Sequence, residues 1–239
     1  MFQYMNTKEY EIVDLSVAFQ MGMPKYNAKW FPEFNYKEIA PADLVNNDWK
    51  RKFTVVSMFA HNGTHVETSE HVFRDGNTLG KFGLESYIGY PVIINLDTIS
   101  DGVGITGEDI LSRIQNRKIE ENSIIILRTG YDDREWGKEG FWDRSPWLEQ
   151  QAAEIIANLK PKMVGLDFQT ERPNEKNFII HKTLASQKCI ICEYLFNLNK
   201  IDENCLFMAI PIHMPEMEAA PVRAVAIKIK RKEKEKYEQ

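Results

Sequence analysis

At 239 residues the chain is long enough to bury a full core without disulfide or metal staples. A formal charge of -5 supplies no broad basic face, which argues against a nucleic-acid partner, and 43% hydrophobic with 27% charged residues is ordinary for a soluble protein. No run approaches the ~18 apolar residues of a membrane helix, the opening "MFQYMNTKEYE" lacks the layout of a signal peptide, and three cysteines make no disulfide framework, so the expectation is a cytoplasmic protein without membrane partners.

In chain order, strand-like runs rich in β-branched and aromatic residues occur at 10–19 (YEIVDLSVAF), 52–60 (KFTVVSMFA) and 91–96 (PVIINL). "TGEDILSRIQN" predicts a helix, with Thr106 as N-cap and acids in its first turn, where the helix dipole favours them. A fourth strand run comes at 123–129 (SIIILRT), and "YDDREW" at 131–136 reads as a polar surface loop. "SPWLEQQAAEIIANL" predicts a second helix, with Ser145 as N-cap and Pro146 at the first helical position. Further strand runs lie at 163–168, 189–195, 205–212 and 222–229, before a tail at about 231–239 whose interleaved lysine and glutamate read as a solvated terminus. Strands outnumber helices, several are apolar throughout, and helices lie between some of them. The pattern predicts one α/β domain over 1–239, with a mixed sheet partly covered by helices.

"HNGTHVETSEH", residues 61–71, holds three of the five histidines. His61, His65, Glu67 and His71 offer imidazole and carboxylate donors of the kind a divalent ion takes. Four residues of strand span about 13 Å, so the chain must curl to gather them. Asn62-Gly63 supplies turn chemistry, and a helical turn after it would bring His65, Glu67 and His71 roughly to one side. From these residues alone a metal site and a solvated polar loop stand level.

The stretch resembles the HxGTHxDxPxH signature of the cyclase-type metal-dependent hydrolase family, whose best-understood members are bacterial kynurenine formamidases. "EIVDLSVAFQMGMPKY" is similar to that family's N-terminal strand and loop, "IIILRTG" to its central strand, "HKTLASQKCIICEYLFNL" to its second ligand segment, and "IPIHMPEMEAAPVRAVAI" to its closing strands. The resemblance spans roughly residues 10–228. It implies a swivelling β/β/α fold, in which a mixed or barrel-like sheet is flanked by helices, and a homodimer or homotetramer.

It also implies two divalent ions, Zn2+ or alternatively Mn2+. His61, His65 and Glu67 would hold one, with Glu193 shared, and Glu67, His181 and Glu193 the other. His71 is left as the proton-transferring residue, Tyr26 falls at a position lining the substrate pocket, and Asp167 sits near an aspartate that would orient ligands. The implied reaction is hydrolysis of a carbon-nitrogen amide bond in an N-formyl or cyclic amide of an aromatic acid, by metal-bound hydroxide with His71 as base. Alternatives are an isatin-type lactam or lactone hydrolase on the same site, and a catalytically impaired metal-binding member.

Two positions depart from the signature. Glu67 stands where the family has aspartate and Ser69 where it has proline. The longer acid requires the backbone to recede by roughly 1 Å, and serine frees the φ that permits it. The pair either compensates or marks a one-metal site or another ion. "DFQTERPNEKNF", before His181, also departs, which places substrate specificity outside the resemblance.

Cys189 and Cys192 form a CxxC within a strand-like run, where they would point to opposite faces as buried thiols. His213 matches no ligand position and reads as structural or surface, and Trp30, Phe31 and Phe34 form an aromatic wall for a substrate or an interface.

Overall fold

A computed structural model describes residues 9–39 and 51–229; the charged tail and most of the opening segment lie outside the described residues. The chain runs β1 (Tyr10–Asp14), β2 (Asn35–Ile39), β3 (Phe53–Ser57), β4 (His65–Glu67), β5 (Ile88–Gly89), β6 (Pro91–Asn95), β7 (Gly104–Ile105), α1 (Gly107–Ile114), β8 (Ile124–Arg128), α2 (Tyr131–Glu135), α3 (Phe141–Arg144), β9 (Trp147–Leu148), α4 (Gln150–Asn158), β10 (Met163–Leu166), α5 (Ile179–Ala185), β11 (Ile190–Glu193), β12 (Leu206–Met208), β13 (Ala219–Pro221) and β14 (Val225–Ile229).

The central sheet has the order β13-β4-β11-β10-β8-β6. Its β6, β8, β10 and β11 run parallel, while β4 and β13 add antiparallel pairs at one side. One face carries the helices. Ile125 and Leu127 of β8 pack there with Ile110 of α1, Ile156 of α4 and Leu184 of α5. The other face turns Ile124 and Ile126 toward Val13, Phe207 and Ala226 of an antiparallel sheet ordered β1-β14-β12-β5. Burial on both faces explains why "SIIIL" is apolar without alternation. The layers are therefore sheet, sheet and helices, and the α/β class with a mixed central sheet flanked by helices is what the chain adopts. Cys189 and Cys192 fall in the helix-side and sheet-side cores respectively, both as free buried thiols.

Local signals decide the element ends. Thr106 caps α1 in a reciprocal box, its hydroxyl accepting from Asp109 N–H at 3.1 Å while Asp109 accepts from Thr106 N–H at 3.0 Å. The second predicted helix begins later than expected. Trp147 and Leu148 pair with Gly104 and Ile105 as β9 and β7, so α4 starts at Gln150. Ser145 ends α3 instead of capping α4; its buried hydroxyl donates to Pro146 O at 2.7 Å and accepts from Gln169 N–H at 2.9 Å. "YDDREW" is also corrected. It forms α2, entered through Gly130 at φ 72, and Tyr131 and Asp132 are fully buried. Tyr131 donates its hydroxyl to Phe141 O at 2.5 Å, tying α2 to α3.

Candidate metal centre

The turn at Asn62-Gly63 forms as the sequence suggests. Gly63 has φ 57, and a Cβ there would lie 2.8 Å from Val17 Cγ1, so both conformation and space require glycine. Beyond the turn the chain forms a strand and not a helical turn. His65 and Glu67 of β4 are two residues apart and share a face, while Val66 points into the sheet-side core. β4 is paired on both sides, and its register sets Glu193 of β11 directly opposite His65. A 3-10 turn over Ser69–His71 then returns His71 to the same side. Ser69, where the family signature has proline, uses its hydroxyl to accept Asn77 N–H at 2.8 Å and so closes the loop between them.

Six sequence-selected residues converge. His61 Nδ1 lies 3.1 Å from Glu67 Oε2, and His65 Nε2 and His71 Nε2 each lie 3.8 Å from that oxygen. His181, delivered by α5, places Nε2 3.0 Å from Glu67 Oε1 and 3.8 Å from Glu193 Oε1. Glu193 Oε2 is 3.6 Å from His65 Nε2, and Thr170 donates its hydroxyl to Glu193 Oε1. Two groupings bring donor atoms close enough for one ion each: His61, Glu67 and His71, and His65, Glu67 and Glu193. His71 is thus placed with ligand-type atoms as well as beside them.

His65 tests whether a cation fits. Gly63 O can only accept, so the 2.9 Å contact puts a hydrogen on His65 Nδ1, and the lone pair of the neutral ring is then on Nε2. That nitrogen is buried without a hydrogen-bond partner and faces two carboxylates. Nitrogen and oxygen lone pairs converging in a buried site suit a divalent ion.

The electrostatics agree. Burial alone would raise the Glu67 pKa, but the charge of His181 and hydrogen bonds from His181 and His61 outweigh it and hold the carboxyl well below its usual range. Burial opposes charge on His61 too, yet Glu218 and Glu67 raise it to about 9. His181 is likewise raised well above an ordinary imidazole, Glu67 overcoming burial. His71 moves the other way, to about 4, through burial and the positive charge of His61 and His181. Without an ion the cluster thus concentrates protons on His61 and His181.

Three residues that no sequence signal marked complete the centre: Thr170, Glu171 and Glu218. Glu218 accepts from His61 Nε2 at 3.1 Å, and Glu171 accepts from His181 Nδ1 at 2.9 Å. A ligand histidine needs a partner on its other nitrogen, which is a clue in principle, but Glu218 is 157 positions from His61 and no spacing rule finds it. Asp167 is a correction. It touches none of the candidate ligands and accepts from Thr129 N–H at 2.7 Å, Thr129 Oγ1 at 2.7 Å and Gly130 N–H at 2.6 Å, holding the turn into α2.

Above the centre opens a cavity of about 360 Å³, lined by Tyr26, Trp30, Phe31, Phe59, Trp142 and Phe178, with His61, Glu67, His71, His181 and Glu193 at its floor. Tyr26 meets Trp142 edge-on at 5.6 Å between ring centroids. Of the expected aromatic wall, Trp30 and Phe31 face this cavity, whereas Phe34 packs on Phe19 at 5.5 Å. His213 is exposed.

Residues 13–171 match the family model Cyclase, described as "Putative cyclase". Over 171 residues the chain is 24% identical to a kynurenine formamidase of Bacillus cytotoxicus, covering 71% of this chain and 77% of that protein. A kynurenine formamidase of Delftia acidovorans is 23% identical over 227 residues, with 89% and 95% covered. Isatin hydrolase A from Labrenzia aggregata, solved with benzyl benzoate bound, superposes with a TM-score of 0.79 at 20% identity, over 94% of this chain and 96% of that one. With the family model matching residues 13–171, more than half of the chain, the chain belongs to the cyclase family.

Proposed function

We propose that the chain is a metal-dependent amidohydrolase that cleaves a carbon-nitrogen bond in an N-formyl or cyclic amide of an aromatic acid. The observation that carries this reading is the convergence of His61, His181, Glu67 and Glu193 at the floor of an aromatic cavity, with His71 beside them and His65 buried beneath against Glu67 and Glu193. His61, His65, Glu67 and Glu193 would hold one ion, and Glu67, His181 and Glu193 would hold a second. Zinc suits this nitrogen and oxygen donor set, with manganese as the alternative. A divalent ion bound there supplies Lewis acidity, which lowers the pKa of water and polarises a carbonyl oxygen.

The chain's own groups do the rest. His71, whose Nε2 lies 3.8 Å from Glu67 Oε2 at the edge of the cluster, would take a proton and return it to the leaving nitrogen. Tyr26, Phe31 and Trp142 enclose an aryl ring and displace water from it. A second reading, a cyclic lactam of isatin type or a lactone opened by the same centre, is favoured by the superposition on an isatin hydrolase. An impaired site is disfavoured because Glu67, one methylene longer than the family acid, still reaches His61 and His181.

No helix among the described residues is long and apolar enough to cross a membrane, and we place the protein in the cytoplasm as a homodimer or homotetramer without membrane or nucleic-acid partners. Support for self-association comes from the β2–β3 ribbon, every residue of which is exposed, including Tyr36, Ile39, Phe53, Val55 and Val56. A two-stranded ribbon is marginal alone, and apolar exposure of this kind suits burial against a second copy. The test of the reaction is a panel of N-formyl arylamines, isatin and aryl lactones assayed with zinc or manganese. The wild type turns over at least one class and His71→Ala does not; a metal-loaded wild type inert on the whole panel contradicts the reading.

A further inference from the structure

We propose that Glu171 is a positioning residue that commits His181 to Nε2 and so sets the affinity of the ion held by Glu67, His181 and Glu193; this rests on the two-ion reading above. A single oxygen, Glu171 Oε1, accepts three hydrogen bonds: from Ile180 N–H at 2.9 Å, His181 N–H at 3.0 Å and His181 Nδ1 at 2.9 Å. A carboxylate that is ionised can only accept, so Nδ1 carries a hydrogen, and when an ion displaces the ring's second proton the lone pair it meets is on Nε2. That nitrogen is the one aimed at Glu67 Oε1 and Glu193 Oε1.

The same oxygen fixes the ring in space. α5 begins at Ile179 after Phe178, whose φ is 52 and whose side chain offers no cap, and Glu171 reaches across to satisfy two backbone N–H groups of its first turn. Turning the His181 ring over would therefore put the Cδ2 edge where Nδ1 stands and lose the bond to a carboxylate already anchored to that helix. The other histidines are held differently. His65 is committed by a neutral carbonyl, Gly63 O, and His61 presents Nδ1 to the centre while Nε2 meets Glu218, whose side chain is 33% exposed. Glu171 is only 12% exposed, so its charge is poorly screened where it meets His181. A buried anion at Nδ1 strengthens Nε2 as a donor to a cation. A mere helix cap would have no need of the third bond, to the ring.

The test titrates metal-free protein with zinc alone, in equilibrium dialysis with calorimetry, for the wild type, Glu171→Ala and Glu171→Gln. The expected result is that Glu171→Ala weakens one of two bound ions by about 10- to 100-fold and leaves the other within about twofold. Glu171→Gln keeps an acceptor oxygen but not the charge, and recovers part of the loss, remaining several-fold weaker than wild type. Nitrogen and proton spectra of the zinc-loaded wild type show the His181 Nδ1–H shifted downfield by its hydrogen bond to a carboxylate, and this shift is lost in Glu171→Ala. Both variants binding two ions with wild-type affinity overturns the inference alone, and if Glu171→Ala fails to fold, wild-type affinity in Glu171→Gln does so. A wild type that takes up no zinc overturns the two-ion reading and this inference with it.

Discussion

His65 and Glu67 stand on a strand paired on both sides and are 0% and 2% exposed, whereas Tyr26, Trp30 and Phe31 stand on an irregular segment between β1 and β2, where Trp30 is 71% exposed. The donor groups of the floor are set by sheet register, and a strand cannot slip by one residue without turning His65 and Glu67 into the core. The wall is held by ring contacts such as Tyr26 on Trp142 and Phe31 on Phe59 at 4.5 Å, which tolerate repacking. The difference teaches that chemistry and specificity are separable in this molecule. Changes in the floor should abolish turnover, and changes in the wall should alter which substrate is turned over.

The largest effect is expected from Glu67→Ala, which removes the carboxylate shared by His61 and His181. Ion binding is lost, and turnover falls by ~10⁴-fold, equivalent to about 5.4 kcal/mol of barrier; steady-state rates near wild type would break the distinction. His71→Ala comes next, lowering kcat by on the order of 10³ with both ions retained, as loss of a general base does. Mass spectrometric metal analysis sharpens this case, since one ion fewer in His71→Ala makes His71 a ligand, as its grouping with His61 and Glu67 permits. In the wall, Trp142→Ala should raise KM about tenfold, the worth of a lost aromatic contact of roughly 1.4 kcal/mol, with metal content unchanged.

The smallest effect concerns stability alone. Asp132 of α2 is fully buried with neither carboxyl oxygen hydrogen-bonded, and burial, followed by the charges of Asp167 and Glu193, raises its pKa well above 3.8. The folded state therefore binds a proton that the unfolded chain releases, so this group costs stability as pH rises above about 4. Asp132→Asn should melt higher than wild type at pH 7 by a few degrees, or ~1–2 kcal/mol, with the gap closing toward pH 4. Melting curves whose separation is independent of pH contradict the assignment.

Much of the floor was legible in the sequence because its residues lie in a short ordered stretch. "HNGTH" announces a turn that only glycine fits, and the next donors come at fixed offsets. The central strands were legible from apolar runs that both cores require. The short strand β4 was not, since its three residues are specified by pairing with β11 and β13 rather than by local propensity. The start of α4 is not legible, because Ser145-Pro146 has the chemistry of a helix start but is used at the end of α3. "YDDREW" misled because a carboxylate such as Asp132 is rarely buried without a partner. Glu171 and Glu218 were invisible for a different reason: each acts through the nitrogen of a histidine that the fold, and no sequence pattern, brings beside it.

The most direct test of the central claim is the metal content of the full chain after dialysis against zinc, set beside that of His181→Ala. The expected result is two ions per chain in the wild type and one in His181→Ala; a folded wild type that retains none contradicts the two-ion centre.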